Sequence, residues 1–144
     1  MAIREFKGKY KFLCNFDHPR PVTIFGLTFQ NSEAGFQAMK TISLKARKAF
    51  CNLEPATAKA LGRALSLRSD WDEVKDGIMK QIVEAKFRQN PDLVEHLLAT
   101  GDEELIEGTW WNDRYWGIDL RTGIGENVLG RILMQVREKL RNVD

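Results

Sequence analysis

The chain has 144 residues, 43% of them hydrophobic and 29% charged, with 22 basic against 20 acidic side chains for a net charge of +2. That length fits one domain, residues 1–144, able to bury a real core, and the near-neutral balance gives no general case for a nucleic-acid packaging protein, leaving only a local basic patch open. No apolar run approaches the roughly 18 residues of a membrane span, and Met1 to Tyr10 lacks the apolar stretch of a signal peptide. A cytoplasmic location is therefore expected, with Cys14 and Cys51 as free thiols.

In chain order, Val22 to Phe29 is rich in β-branched and aromatic residues and interrupted at Gly26, which predicts a short hairpin or bulged strand. Asn31 and Ser32 are N-cap candidates for a helix starting near Glu33, and Phe36, Met39, Ile42, Ala46 and Phe50 extend its apolar stripe. Pro55 suits the first position of a second helix, with Ala58, Leu61 and Leu65 on one face. Asp70 with Glu73 three residues on resembles a capping box for a third, striped by Trp71, Val74, Ile78, Ile82 and Ala85. Asn90-Pro91 opens a fourth, closed by Gly101. Leu105 to Thr109 reads as a short strand, and the last helix begins near Asn127. The fold class is mainly α with a small β component (α+β), in one compact domain.

The segment Gly108 to Gly130 has no clear periodicity and holds Trp110, Trp111, Tyr115 and Trp116. A long irregular stretch this aromatic points to a site rather than to disorder. Gly123-Ile-Gly125 is a poor dinucleotide fingerprint, since Gly130 falls two residues too late and no long apolar strand precedes it. The glycines either cradle a phosphate at the last helix or simply permit tight turns. His18 and His96 are far apart, so structural roles are expected and no metal site is. Carboxylates beside a sugar can stabilise an oxocarbenium-like transition state or activate water. Glu33 and Asp113 are the candidates, although Glu33 taken alone reads as a helix-dipole residue. Lys40 lies seven residues after Glu33 and shares its helix face. A lysine of lowered pKa can attack an anomeric carbon and form a Schiff base.

Phe12-Leu13-Cys14-Asn15-Phe16, Ser32-Glu33 with Phe36-Gln37-Ala38 and Lys40, and Leu67 through Lys75 form an ordered set of motifs. Lys86-Phe87, Leu105-Ile106-Glu107, Asn112 through Gly117 and Gly125 through Gly130 continue it. Together they resemble the YbiA-like, or NADAR, family from about Phe6 to Leu140. Departures are Cys14 where the family usually shows Ser, Ala34 where it shows His, and Asp119, Leu120 and Arg121 in its glycine-rich stretch. Gly35 is also unusual inside a helix, at a cost of about 1 kcal/mol against Ala.

The resemblance implies an enzyme that hydrolyses N-glycosidic bonds, needing no cofactor and no metal. One substrate class is the phosphoribosylamino-pyrimidine intermediates of riboflavin synthesis, giving ribose 5-phosphate and base. The alternative is ADP-ribose on guanine in DNA. By motif, Glu33 and Asp113 are the implied catalytic acids, Lys40 the candidate nucleophile and Trp71 a stacking or positioning residue. Asn15, Trp116, Gly117 and Asn127 would line the ribose and phosphate site. The expected partner is a phosphorylated riboside or ADP-ribosylated nucleic acid, with no membrane association. A module that binds ADP-ribose or a nucleotide without cleaving it, and a helical interaction protein, are the readings from other classes.

Overall fold

The computed structural model describes residues 1–142. In chain order the elements are β1 (Ala2–Ile3), a 3-10 helix (Gly8–Leu13), β2 (Val22–Ile24), β3 (Leu27–Phe29), α1 (Ser32–Ala38), α2 (Leu44–Lys48) and α3 (Pro55–Ala64). They continue with α4 (Trp71–Arg88), α5 (Pro91–Ala99), β4 (Glu104–Leu105), β5 (Gly108–Thr109), β6 (Ile118–Asp119) and α6 (Val128–Arg141). The class is α+β. Two compact units divide the chain, a central one from Asn15 to Gln89 and a terminal one joining Met1–Cys14 to the chain from Asn90 onward.

In the central unit the expected hairpin forms, β2 and β3 pairing antiparallel with Val22 opposite Phe29 and Ile24 opposite Leu27. Phe25 (φ 55°) and Gly26 (φ 78°) are both left-handed, the backbone that a tight two-residue hairpin loop demands. Asn31 caps α1, its side chain accepting from the Ala34 N–H at 2.8 Å. Every residue of α1 is buried. Gly35 has a packing reason, because a Cβ there would stand 3.3 Å from the Phe29 ring.

The long helix expected from Glu33 to Phe50 is two helices. α1 ends at Ala38, and a new start is made at Ser43, whose hydroxyl accepts from the Ala46 N–H at 3.2 Å. Between them the Lys40 carbonyl accepts from Arg68 N–H and the Thr41 carbonyl from Arg47 Nε–H, replacing the helical ladder. Ile42, placed on the expected stripe, is 74% exposed. Lys40 therefore follows α1 in a turn rather than riding a continuous helix.

α3 begins at Pro55 as expected, with Glu54 rather than a hydroxyl residue capping it. Its Gly62 packs so tightly on α1 that a Cβ would collide with the Gln37 side-chain oxygen. α4 opens at Trp71, but no capping box forms, since the Asp70 carboxylate takes a bidentate pair from Arg68 at 2.6 and 3.2 Å. Ile78, Met79, Ile82, Val83 and Phe87 build its buried face.

In the terminal unit, the single strand expected over Leu105–Thr109 is two short strands in separate sheets. β4 runs parallel to β1 and β5 parallel to β6. α5 packs on α6, whose expected stripe of Val128, Leu129, Ile132, Leu133, Val136 and Leu140 is buried throughout. Arg137, on that buried face, donates to Thr100 Oγ1 and the Glu103 carbonyl.

Candidate active site

The N-terminal end of α1 is pinned from one side. The Asn15 carbonyl accepts from the Glu33 N–H at 3.3 Å, and Asn15 Oδ1 accepts from Ser32 Oγ at 2.9 Å. Asn15 Nδ2 points the other way, 3.3 Å from Met79 Sδ on α4. The Asn15 side chain thus fixes where Glu33 begins. Glu33 is 8% exposed, and its Oε2 accepts from Gln37 Nε2 at 2.6 Å, one turn further along the helix. A short bond of that kind holds a carboxylate oxygen in place as an acceptor. Trp71 is buried with its ring 5.2 Å from Phe36, backing the same helix.

Lys40 is half-buried beyond the end of α1. Loss of solvent lowers its pKa below 10.5; the Glu33 charge works against that lowering, while Arg63 and Lys59 on α3 add to it. Its ammonium is thereby brought closer to the neutral, nucleophilic form. Asn15, Glu33, Lys40 and Trp71 therefore belong to one neighbourhood, built by α1 with its supports from the turn at Asn15, α3 and α4.

The other expected residues lie in the terminal unit, in the segment from Gly108 to Gly130. Asp113 Oδ1 accepts from the Tyr115 and Trp116 N–H groups at 3.3 and 3.1 Å, closing a turn of the kind Asp favours. Trp116 is half-buried, edge-on to Tyr115 with ring centroids 4.9 Å apart. The Gly117 carbonyl accepts from the Asn127 N–H. Asn127 is left-handed (φ 52°), and its side chain bridges the strands by donating to the Leu105 carbonyl and accepting from the Glu107 N–H. At the start of α6 the Val128 and Leu129 N–H groups donate to the Tyr115 and Trp116 carbonyls. Those two amides are thus engaged, and the glycines before α6 serve turns and close backbone approach. Gly125 shows why, as a Cβ there would collide with the Gly117 carbonyl.

Both histidines are in structural settings: His18 Nδ1 lies 3.1 Å from Asn31 Nδ2, and the His96 ring sits edge-on to Phe12. A cavity of about 280 Å³ beside β1, lined by Met1, Arg4, Tyr10 and Glu103 among others, holds none of the expected site residues.

A family model described as the NADAR domain matches residues 4–141. The chain belongs to the NADAR domain family. It is 41% identical over 124 residues to N-glycosidase YbiA of Shigella flexneri serotype 5b, which spans 84% of this chain and 76% of that relative. A riboflavin biosynthesis protein of Vibrio vulnificus is 41% identical over 132 residues, 90% of this chain but 35% of that longer protein. The NMR structure of the E. coli protein YbiA superposes with a TM-score of 0.85 at 35% identity, covering 98% of this chain and 84% of that one.

Within this NADAR domain the structure adds residues that sequence reasoning did not single out. Gln37 was legible as the partner of Glu33, since a side chain four residues on lies over the same helix face. Lys59 and Arg63 had no such signal, because their approach to Lys40 depends on how α3 packs on α1. Lys86, inside α4, is almost fully buried, with Nζ 5.6 Å from the centre of the Phe87 ring. Its burial was hidden because lysine is ordinarily a surface residue.

Proposed function

We propose that this N-glycosidase cleaves the bond between C1′ of a phosphorylated ribose and a base nitrogen, acting on the phosphoribosylamino-pyrimidine intermediates of riboflavin synthesis. The observation that carries the proposal is the pairing of a buried carboxylate, Glu33, held by Gln37 at 2.6 Å, with the neighbouring amine of lowered pKa, Lys40. The similarity to a riboflavin biosynthesis protein supports the substrate class.

The chemistry follows from those groups. The neutral Lys40 amine attacks C1′ as the bond to nitrogen breaks, the electron pair leaving on the base nitrogen, which takes up a proton while the amine sheds one. The fixed Glu33 carboxylate stabilises the positive charge that develops at C1′ without having to reorganise. Water then hydrolyses the sugar–lysine adduct, restoring the amine and releasing ribose 5-phosphate. Asp113 is proposed as the second carboxylate, its loop shaped by Trp116, Gly117 and Asn127, and Trp71 as a positioning residue behind α1.

A second reading, removal of ADP-ribose from guanine in DNA, is favoured by the indoles of Trp110 and Trp111, 53% and 55% exposed on the terminal unit. Exposed indoles suit stacking on bases of a strand, at roughly 1–3 kcal/mol per base. Incubation with both substrates, measuring released ribose 5-phosphate and released ADP-ribose, tests the assignment. Turnover of the free intermediate alone is the expected result; turnover of ADP-ribosylated DNA alone replaces it with the second reading, and turnover of neither overturns both.

A further inference from the structure

The charges around Lys40 are not balanced. Arg68, Arg88, Arg121 and Arg141 each pair with a carboxylate within 4 Å. Lys40, Lys59 and Arg63 form no ion pair among the described residues. Arg63 and Lys59 both act on Lys40, with the Glu33 charge acting against them. The seam of α1 and α3 explains how. Lys59 and Arg63 flank Gly62 on α3; the buried Gly62 closes onto Gln37 of α1, between Glu33 and Lys40, while Lys59 is half-buried and Arg63 open to solvent. The Lys59 ammonium is steadied 5.8 Å from the centre of the Phe16 ring. Gln37 Oε1, buried at the same seam, has no hydrogen-bond partner.

Cations gathered in one place favour a ligand that brings negative charge. The Val128 and Leu129 N–H groups at the start of α6 are already taken by the Tyr115 and Trp116 carbonyls. We infer that Lys59 and Arg63, flanking the buried Gly62 on α3, form the subsite for the phosphate on the 5′ carbon of the substrate ribose, which rests on the reading of this site as a phosphoriboside hydrolase. Arg63 offers a planar fork for two phosphate oxygens and Lys59 a point charge. Anchoring the phosphate there leaves C1′, at the far side of the ribose ring, to Lys40 and Glu33. Either a free monoester or the diphosphate of ADP-ribose carries this chemistry.

The test uses the full chain. Ribose, ribose 5-phosphate and ADP-ribose are titrated into the wild-type protein and into Lys59→Met/Arg63→Met by calorimetry, and kcat/KM is measured for a 5′-phosphorylated N-riboside and its unphosphorylated nucleoside. The wild type is expected to prefer ribose 5-phosphate over ribose, and the double variant to lose that preference by roughly 10–100-fold, the range for hydrogen bonds to charged groups. The ratio of kcat/KM between the two substrates should fall by a similar factor. A change in the Lys40 amine cancels in that ratio, because both substrates meet the same amine. The conservative pair Lys59→Arg/Arg63→Lys should restore part of the preference, which separates charge from folding. A preference that survives in the double variant, or is absent from the wild type, overturns the subsite whatever the activity. Loss of the preference in a protein that hydrolyses neither substrate keeps the subsite and overturns the hydrolase reading instead. Tighter binding of ADP-ribose than of ribose 5-phosphate, lost in the double variant, keeps the subsite and assigns it to a diphosphate.

Discussion

The neighbourhood of α1 and the segment from Gly108 to Gly130 both carry acids and aromatics, but they treat their polar groups differently. In the segment, polar groups are absorbed by the chain itself. Asp113 closes a turn, Asn127 bridges Leu105 and Glu107, and the buried Asp119 is held by Arg121 through two oxygens. Around α1, one carboxylate is aligned by Gln37 while three cations have no counter-ion within 4 Å among the described residues. Groups that satisfy each other stabilise a loop, whereas groups left unsatisfied in company are poised for a ligand. The aromatic segment drew attention as sequence, yet the chemistry is better prepared on the helix.

The sharpest way to break that contrast is to remove the amine. Lys40→Ala should lower kcat by about 10³-fold or more, since a covalent step then has no nucleophile. Borohydride should trap a sugar adduct on the wild type and none on the variant, read by intact mass. Full activity in Lys40→Ala without any wild-type adduct would remove the lysine from the mechanism and leave Glu33 to activate water. Asp113→Asn asks the same of the loop. Asparagine keeps an oxygen for the Tyr115 and Trp116 N–H groups, so the turn should survive with an unchanged circular dichroism spectrum. A loss of about 10²-fold in kcat is expected from removing a carboxylate that assists proton transfer. Normal turnover would make Asp113 a turn residue only, and would widen the difference between the two regions.

What could be read in the sequence tracks the range of the interactions responsible. The hairpin was legible because β-branched residues flank Gly26, and the start of α1 because Asn31 carries its own cap. The break after Ala38 was not, since Met39, Ile42, Ala46 and Phe50 keep a helical spacing. What stops the helix is tertiary, the Arg68 N–H and Arg47 guanidinium taking the Lys40 and Thr41 carbonyls. Asp70 failed as a cap for a local reason, its carboxylate being claimed by Arg68 two residues before it. Two-residue strands such as β4, β5 and β6 have no sequence period to detect. Glu33 and Lys40 were placed by motif and spacing and Gln37 was legible by its place one turn after Glu33, while Lys59 and Arg63 join them only once α3 lies on α1.

That packing makes a prediction of its own. Gly62→Ala puts a methyl group against the Gln37 amide, which must turn away from Glu33 or push α3 outward. Overpacking of this kind costs typically about 1–3 kcal/mol, or on the order of 2–10 °C in melting temperature for a chain of this size. Because the displaced amide is the one that fixes Glu33, kcat should fall as well, whereas a purely structural role for Gly62 would lower only the melting temperature.

The smallest expected effect is the most specific, a shift in pH dependence. Lys40 must be neutral to attack, so kcat/KM should rise with pH and level off below the ordinary lysine value of 10.5. The sign for stability follows from the same lowering. Between the native pKa and 10.5 the unfolded chain holds more protons than the native one, so stability gains as pH rises through that window, and the cost of the buried charge is fully present below it. Removing a neighbouring cation relaxes the lowering, so Arg63→Met should move the kcat/KM limb to higher pH, and Lys59→Met should do so by less, as the weaker influence. Glu33→Gln should move it the other way, because that carboxylate favours the ammonium. A bound phosphate dianion beside Lys59 and Arg63 would also favour the ammonium. The kcat limb, which reports the enzyme–substrate complex, should therefore lie above the kcat/KM limb for a phosphorylated riboside, and the two should draw together for its unphosphorylated counterpart.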